Sequence, residues 1–330
     1  MKEKGPEDIL RISRNFMESR ILLTGAELDL FTRLGRSPAT AEQLAGETGA
    51  DGRALTILLD ALSAMDLLAK EEETYRCDPP VASLLSRESP RSLLPMILHA
   101  AHLWRRWDKL TEIVKGIPLP ADAELSTRSP EAMRAFIGAM HVVAAPRADR
   151  IIRQVRPRKA RNLIDVGGGP GTYTIAFLRS IPDMKATLFD RPEVVEMARE
   201  RIAAAGLTDR VRFVPGDFFH DELPPGHDLA FVSAIIHQNS RERNEDLYRK
   251  VHHSLVPGGR IVVRDHVMDP DRVRPREGAV FAVNMLAMTH GGNTYTFEEI
   301  ESDLVRAGFG KIRLLKKGDH MDGLIEAFRP

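Results

Sequence analysis

The sequence predicts an α/β chain: a first half that is almost wholly helical, then a parallel sheet alternating with helices and closed by an antiparallel hairpin. Three observations predict it. Residues 8–34 carry apolar side chains at helical spacing (Ile9, Ile12, Phe16, Leu23, Leu30, Leu34). From residue 162 short apolar runs alternate with helical stretches, the pattern of βαβ units with right-handed crossovers. At the end, "KIRLLKKGDHMDGLIEAF" holds two strand-like runs around a tight polar turn. The domains are expected at 1–155 and 156–330.

In chain order, the long first helix is followed by "TAEQLAGETG", which opens with a capping box, Thr40 and Gln43. "DGRALTILLDALSAMDLL" starts on the N-cap candidate Asp51. "LAKEEETYRCD" reads as a short charged hairpin, so helices followed by a hairpin give the outline of a winged helix. Such a module invites a DNA-binding reading. Over residues 40–65, however, Arg53 is the sole basic residue and faces Glu42, Glu47, Asp51 and Asp60. A recognition helix needs cations to neutralise phosphates, so a dimerisation or substrate-lid module is expected instead. "GIPLPADAELSTRSP" (116–130) reads as a loop. Helix returns over 131–155, with Met133, Phe136, Ile137, Met140 and Val143 on one stripe, and "RPRKAR" is a solvated link. The candidate strands are "NLIDV", "KATLF", "RVRFV", "DLAFVSAI" and "GRIVVR", with helices at 193–205 and 241–254 among the segments between them.

Composition narrows the function. Lys plus Arg and Asp plus Glu are 47 each, so the net charge is zero and no nucleic-acid partner is expected. Cys77 is the sole cysteine, which excludes a disulfide framework and a cysteine-rich zinc site. "MKEKGPEDIL" lacks the apolar core of a signal peptide, and no apolar run approaches the roughly 18 residues of a membrane span. A cytoplasmic globular protein with no membrane partner is expected.

The chemistry starts at "LIDVGGGPGTYT" (163–174). A glycine-rich turn after a strand lets backbone approach a ligand. The dinucleotide fingerprint G-x-G-x-x-G fails here, because its third glycine would fall at Thr172. The pattern is instead Asp165-x-Gly167-x-Gly169-x-Gly171, which suits a ligand without a pyrophosphate. Asp190 ends the second strand, where a carboxylate can accept both hydroxyls of a ribose. Asp217 ends the third beside Phe218, a pairing that suits an adenine. Three acids at successive strand ends point together to a nucleoside.

These residues resemble the class I S-adenosylmethionine-dependent methyltransferases. Nearly the whole chain resembles the small-molecule O-methyltransferases of the caffeic acid and acetylserotonin type, through "AFIGAMH", "DVGGGPG", "GDFF", "LVPGGRIVVRD" and "NMLAMTHGGNTYTFEEI". The resemblance implies a Rossmann-like seven-stranded methyltransferase sheet with the C-terminal hairpin, and an N-terminal winged-helix dimerisation domain. It also implies an intertwined homodimer, no metal, and a small-molecule acceptor held between the domains. The cofactor would be S-adenosyl-L-methionine and the product S-adenosyl-L-homocysteine. The cofactor would rest on Asp165, Gly167, Gly169, Gly171, Asp190, Arg191, Asp217, Phe218 and Ser233.

The resemblance also assigns His237 as general base, since neutral imidazole can take a hydroxyl proton. Asp265, ending the next strand, would fix its tautomer. Three positions depart from the family. Gln238 and Asn239 replace the usual Asp and frequent Trp after the histidine, and Thr294 stands where a second flanking acid is normal. Phe136, Met140, His141, Asn284, Met285, Met288 and Thr294 are expected at the acceptor, with Trp104 and Trp107 closing over it. The expected reaction is O-methylation of an aromatic or polyketide-like molecule. The missing acid keeps two alternatives open: a relative that binds the cofactor without transferring methyl, in rearrangement or hydroxylation, and S-methylation of a small thiol.

Overall fold

The computed structural model describes residues 4–117, 130–157 and 159–330. The chain divides into two compact units. The first is Met1–Arg105 with Pro130–Val142; the second comprises the described residues of Arg106–Ser129 with Val143–Pro330.

The first unit runs α1 (Pro6–Glu27), α2 (Leu30–Arg36), β1 (Ala39–Thr40), α3 (Ala41–Thr48), α4 (Gly52–Ala64), β2 (Ala69–Glu71), β3 (Thr74–Arg76) and α5 (Pro79–Leu85), and holds most of α6 (Leu94–Trp107). The expected capping box closes α3: the Thr40 hydroxyl accepts from the Gln43 amide, and Gln43 Oε1 accepts from the Thr40 amide at 2.8 Å. The Asp51 carboxylate caps α4 through the Ala54 amide at 2.8 Å. The hairpin β2–β3 forms, and β1 adds a third antiparallel strand that was not foreseen, in the order β1-β3-β2. Leu30, Leu34, Leu44, Leu55, Leu59, Leu62 and Tyr75 make the core. The long apolar stripe divides. Leu23, Leu30 and Leu34 are buried, while Ile9, Ile12 and Phe16 on α1 are 54%, 51% and 52% exposed.

In the second unit come α7 (Leu110–Val114), the end of α8 (Pro130–Ala144), α9 (Ala148–Val155), β4 (Asn162–Val166), α10 (Thr172–Ser180), β5 (Lys185–Asp190), α11 (Pro192–Ala204), β6 (Val211–Pro215) and β7 (His227–Ser233). There follow α12 (Arg241–Ser254), β8 (Leu255–Asp265), β9 (Val267–Met268), α13 (Arg276–Met288), β10 (Tyr295–Thr296), α14 (Phe297–Arg306), β11 (Gly310–Lys316) and β12 (Gly323–Phe328). The main sheet has seven strands, ordered β11-β12-β8-β7-β4-β5-β6. Strands β4 to β8 pair in parallel, and β12 pairs antiparallel with both β8 and β11. The chain moves outward from β4 to β6, then returns to β7 on the other side of β4. That reversal opens a crevice at the carboxyl ends of β4 and β7.

Three sequence expectations need correction. The boundary is not at 155/156, because Ile151, Ile152 and Val155 of α9 pack with Phe177, Leu178 and Phe231 of the second unit. The two hairpin strands are joined by residues 317–322 rather than by a tight turn. β7 ends at Ser233, short of the expected Ile235, because Ala234 takes the left-handed conformation (φ 58°) and turns the chain out of the sheet. Of the expected loop 116–130, residues 118–129 lie outside the described residues. Among the described residues no helix is long and apolar enough to cross a membrane.

Candidate active site

The turn after β4 is anchored to the neighbouring strand. The Gly167 amide donates to the Phe189 carbonyl at 2.8 Å, and Gly167, Gly169 and Gly171 have φ of 66°, 54° and 73°. A side chain at Gly167 would meet Ile235 Cδ1 at 2.5 Å, whereas one at Gly169 would meet nothing within 4 Å. One side of the turn is therefore packed and the other is open.

Asp190, at the end of β5, faces this turn. Its Oδ2 accepts from the Gly169 amide and its Oδ1 from the Arg191 amide, each at 2.8 Å. Burial pushes its carboxyl up to about 6, against the pull of those two amides. Each oxygen keeps a lone pair for a further donor. The ring of Phe218 lies 3.8 Å from where a Gly167 Cβ would stand and 4.7 Å, between ring centres, from Phe219. Asp217 Oδ1 accepts from the Phe219 amide at 2.9 Å, shaping its own loop. Lys250 Nζ donates to the Phe218 carbonyl at 2.9 Å and ties that loop to α12.

Asp165 stands near the end of β4. It is 2% exposed and lies under the turn, with Oδ2 accepting from Thr174 Oγ1 at 2.6 Å. Burial pushes its carboxyl up to about 7; the Thr174 hydroxyl opposes this and the charge of Asp190 adds to it. The carboxylate packs against the glycine turn, 3.2 Å from where a Gly168 Cβ would stand. The Ser233 hydroxyl, also expected at the ligand, accepts from Arg264 Nη1 at 3.1 Å. Arg191 pairs with Glu193 at 3.6 Å.

Beyond Ala234 a single 3₁₀ turn, Ile236–Gln238, carries His237. Its Nδ1 lies 2.9 and 3.0 Å from the two oxygens of Asp265, at the end of β8. Both residues are buried, at 6% and 2% exposure. Burial alone would raise the Asp265 carboxyl, but the charge and hydrogen bond of His237 outweigh it and hold the carboxyl below the ordinary range. The His266 amide adds a bond to Asp265 Oδ1 at 2.8 Å. With Nδ1–H donated to the carboxylate, Nε2 is the nitrogen left to accept a proton.

The unusual neighbours of His237 serve its loop. Gln238 Nε2 donates to the Ala234 carbonyl at 3.2 Å, and Asn239 Nδ2 to Asn244 Oδ1 at 3.0 Å. Asn244 Nδ2 in turn donates to the Ile236 carbonyl at 2.9 Å, and the Tyr295 hydroxyl donates to the Asn239 carbonyl. Gly292 is needed for close approach, since a side chain there would come within 2.4 Å of the His237 carbonyl oxygen. Phe281 on α13 packs edge-on against the imidazole, with ring centres 4.9 Å apart. Sequence reading missed Asn244, Tyr295 and Phe281; no local signal marks them.

The acceptor candidates fall in both units. On α8, Phe136 packs on His99 with ring centres 5.2 Å apart, and Met140 lies one turn further. His141 sits in the last turn of that helix. On α13, Asn284 and Met288 share the face of Phe281, at helical spacing. Met285, four residues on from Phe281, shares that face and is buried, at 6% exposure. Thr294 is 2% exposed and its hydroxyl donates to the Gly278 carbonyl at 3.3 Å, so that donor is used within the protein. Among the described residues no cluster of side chains could hold a metal ion.

The open turn at Gly169, the Asp190 carboxylate and the Phe218 ring fit a nucleoside carrying no pyrophosphate, because they offer acceptors and a flat surface rather than cations. An O-methyltransferase domain matches residues 108–310, and an O-methyltransferase dimerisation domain matches residues 10–87. The tetracenomycin polyketide synthesis 8-O-methyl transferase TcmO of Streptomyces glaucescens is 34% identical over 94% of this chain and 93% of its own length. The 3-hydroxy-5-methyl-1-naphthoate 3-O-methyltransferase of Streptomyces sahachiroi is 28% identical over 94% and 91%. The crystal structure of human N-acetylserotonin methyltransferase in complex with SAM superposes with a TM-score of 0.83 at 26% identity, covering 99% of each chain. These comparisons lend no support to a relative that binds the cofactor without transferring methyl.

Proposed function

This chain belongs to the S-adenosylmethionine-dependent O-methyltransferase family, and from that premise we propose that it methylates a hydroxyl of a small aromatic or polyketide-derived molecule, with His237 as general base. The relatives named for a tetracenomycin polyketide and for a hydroxynaphthoate support the acceptor class. The observation that carries the proposal is the buried His237–Asp265 pair at 2.9 Å, on the same edge of the sheet as the glycine turn.

When bound, S-adenosylmethionine supplies a methyl group already activated by its sulfonium charge. The chain's own work is then to hold both partners in line, exclude water and remove one proton. Asp190 would take the ribose hydroxyls, and the open side of Gly169 would admit the nucleoside. Asp265 accepts from Nδ1–H and leaves Nε2 of His237 as the nitrogen that can accept. Nε2 takes the acceptor proton, a step worth about 10²–10⁴-fold, and the Asp265 carboxylate stabilises the imidazolium that results. The Phe281 ring shields the pair from water. With Thr294 in place of a second acid, one carboxylate supports the imidazole, which favours an acidic phenol over an aliphatic alcohol.

The first unit is read as a winged-helix dimerisation module. Its half-exposed Ile9, Ile12 and Phe16 support a homodimer through α1, and the acidic surface near α4 disfavours nucleic acid. The sole cysteine fits a reducing cytoplasm. Incubation with methyl-labelled cofactor and a panel of phenols, hydroxyquinones and thiols tests the proposal. O-methyl ethers and S-adenosylhomocysteine should form together; transfer to thiols alone, or no transfer, would refute it.

A further inference from the structure

We propose that Trp107 is a positioning residue that sets acceptor specificity, by locking the amide of Asn284 as a hydrogen-bond donor for a carbonyl oxygen on the acceptor. The inference rests on the methyl-transfer reading above.

Trp107 ends α6, and its Nε1 donates to Asn284 Oδ1 at 3.0 Å. An indole N–H can only donate, so the Asn284 atom facing it must be the carbonyl oxygen. The amide is thereby fixed in one of its two orientations. Its carbonyl is occupied, and Nδ2 has no hydrogen-bond partner among the described residues.

Asn284 stands one helical turn from Phe281, on the same face of α13, and Phe281 packs against the His237 ring. Side chains spaced by three on a helix are about 5–6 Å apart. The free amide N–H groups therefore lie within the span of a fused ring whose hydroxyl is at His237. What they would recognise is an oxygen that accepts: a quinone or ketone carbonyl near the methylated hydroxyl. Without the indole, the amide could turn and offer its oxygen to a second hydroxyl equally well, so the indole makes the choice.

The test uses two probes of one ring skeleton, 1-hydroxyanthraquinone and 1-hydroxyanthracene, bound to the full-length protein loaded with S-adenosylhomocysteine. The wild type should bind the quinone about tenfold more tightly, the range for one hydrogen bond. Trp107→Phe should bring that ratio close to one while leaving S-adenosylhomocysteine affinity and thermal melting unchanged. Asn284→Asp keeps the contact with Trp107 but replaces the free donor with an acceptor, and should also abolish the preference. His237→Ala should leave the ratio intact. A wild type that binds both probes equally, or neither, overturns the proposal. So does a preference that survives Trp107→Phe or Asn284→Asp. Failure of the methyl-transfer reading would appear separately, as absence of methyl ethers with any phenol in the panel.

Discussion

Replacing Asp190 with alanine should weaken S-adenosylmethionine binding through a defined mechanism. The carboxylate already holds the Gly169 and Arg191 amides at 2.8 Å, one on each oxygen, and would accept the ribose hydroxyls on its remaining lone pairs. A hydrogen bond to a charged group contributes about 1.5–3 kcal/mol. Loss of one such bond therefore lowers affinity by about 10- to 150-fold, and loss of the second, with two turn amides released, acts in the same direction. Charge adds an independent signature. Burial pushes this carboxyl up to about 6, and the ribose would bind its ionised form. Affinity should be level above about pH 7 and fall towards tenfold per unit as pH drops below 6. Asp190→Ala should remove that dependence. Asp165, pushed up to about 7, titrates nearby, so the difference between wild type and variant is the quantity to read. Calorimetry of S-adenosylhomocysteine binding from pH 5 to 8 makes the measurement. Unchanged affinity in the variant, or an equal slope in both proteins, would refute the assignment of Asp190.

Three further outcomes are expected. His237→Ala should lower turnover on a true acceptor by about 10²–10⁴-fold with cofactor affinity unchanged, and Asp265→Asn should cost less, since it orients the ring without taking the proton; steady-state kinetics beside calorimetry would show it. Phe16→Glu on the exposed face of α1 should yield monomers in sedimentation at micromolar concentration, where the wild type should be a dimer. His227 is clamped between the Ser254 and Thr187 hydroxyls at 2.9 Å each, and burial lowers its pKa. The unfolded chain then binds the extra proton, so this contribution to stability is complete above about pH 6.5 and is lost as pH falls. His227→Gln should flatten the decline of Tm between pH 7.5 and 5.5; an unaltered slope would contradict it.

Features set by neighbours in sequence were legible before the structure. The caps at Thr40 and Asp51, the apolar runs of β4 to β8 and the failure of the dinucleotide pattern at Thr172 all depend on residues a few positions apart. Features set by distant contacts were not. Asp165 and Asp190 look alike as acids at strand ends, but the structure gives them different partners, the Thr174 hydroxyl for Asp165 and the Gly169 and Arg191 amides for Asp190. α9 reads as a helix, yet its docking against Phe177 and Phe231 decides the unit to which it belongs. The position of Thr294 could be read as a missing acid. Its burial against Gly278 could not, and it shows that Thr294→Glu would force a larger charged side chain into packed space rather than restore a second acid.

The contact between Gly167 and Ile235 joins two operations that are usually discussed apart. The turn that would receive the nucleoside stands against the loop that carries the imidazole, with no room for even a methyl group between them. Both are thus machined to one shared tolerance. A larger residue at 167, or a reshaped one at 235, should shift the glycine turn and the His237 imidazole, two residues beyond Ile235, together. Substitutions on this seam should depress cofactor affinity and turnover in step, whereas those at Asp190 and His237 separate the two.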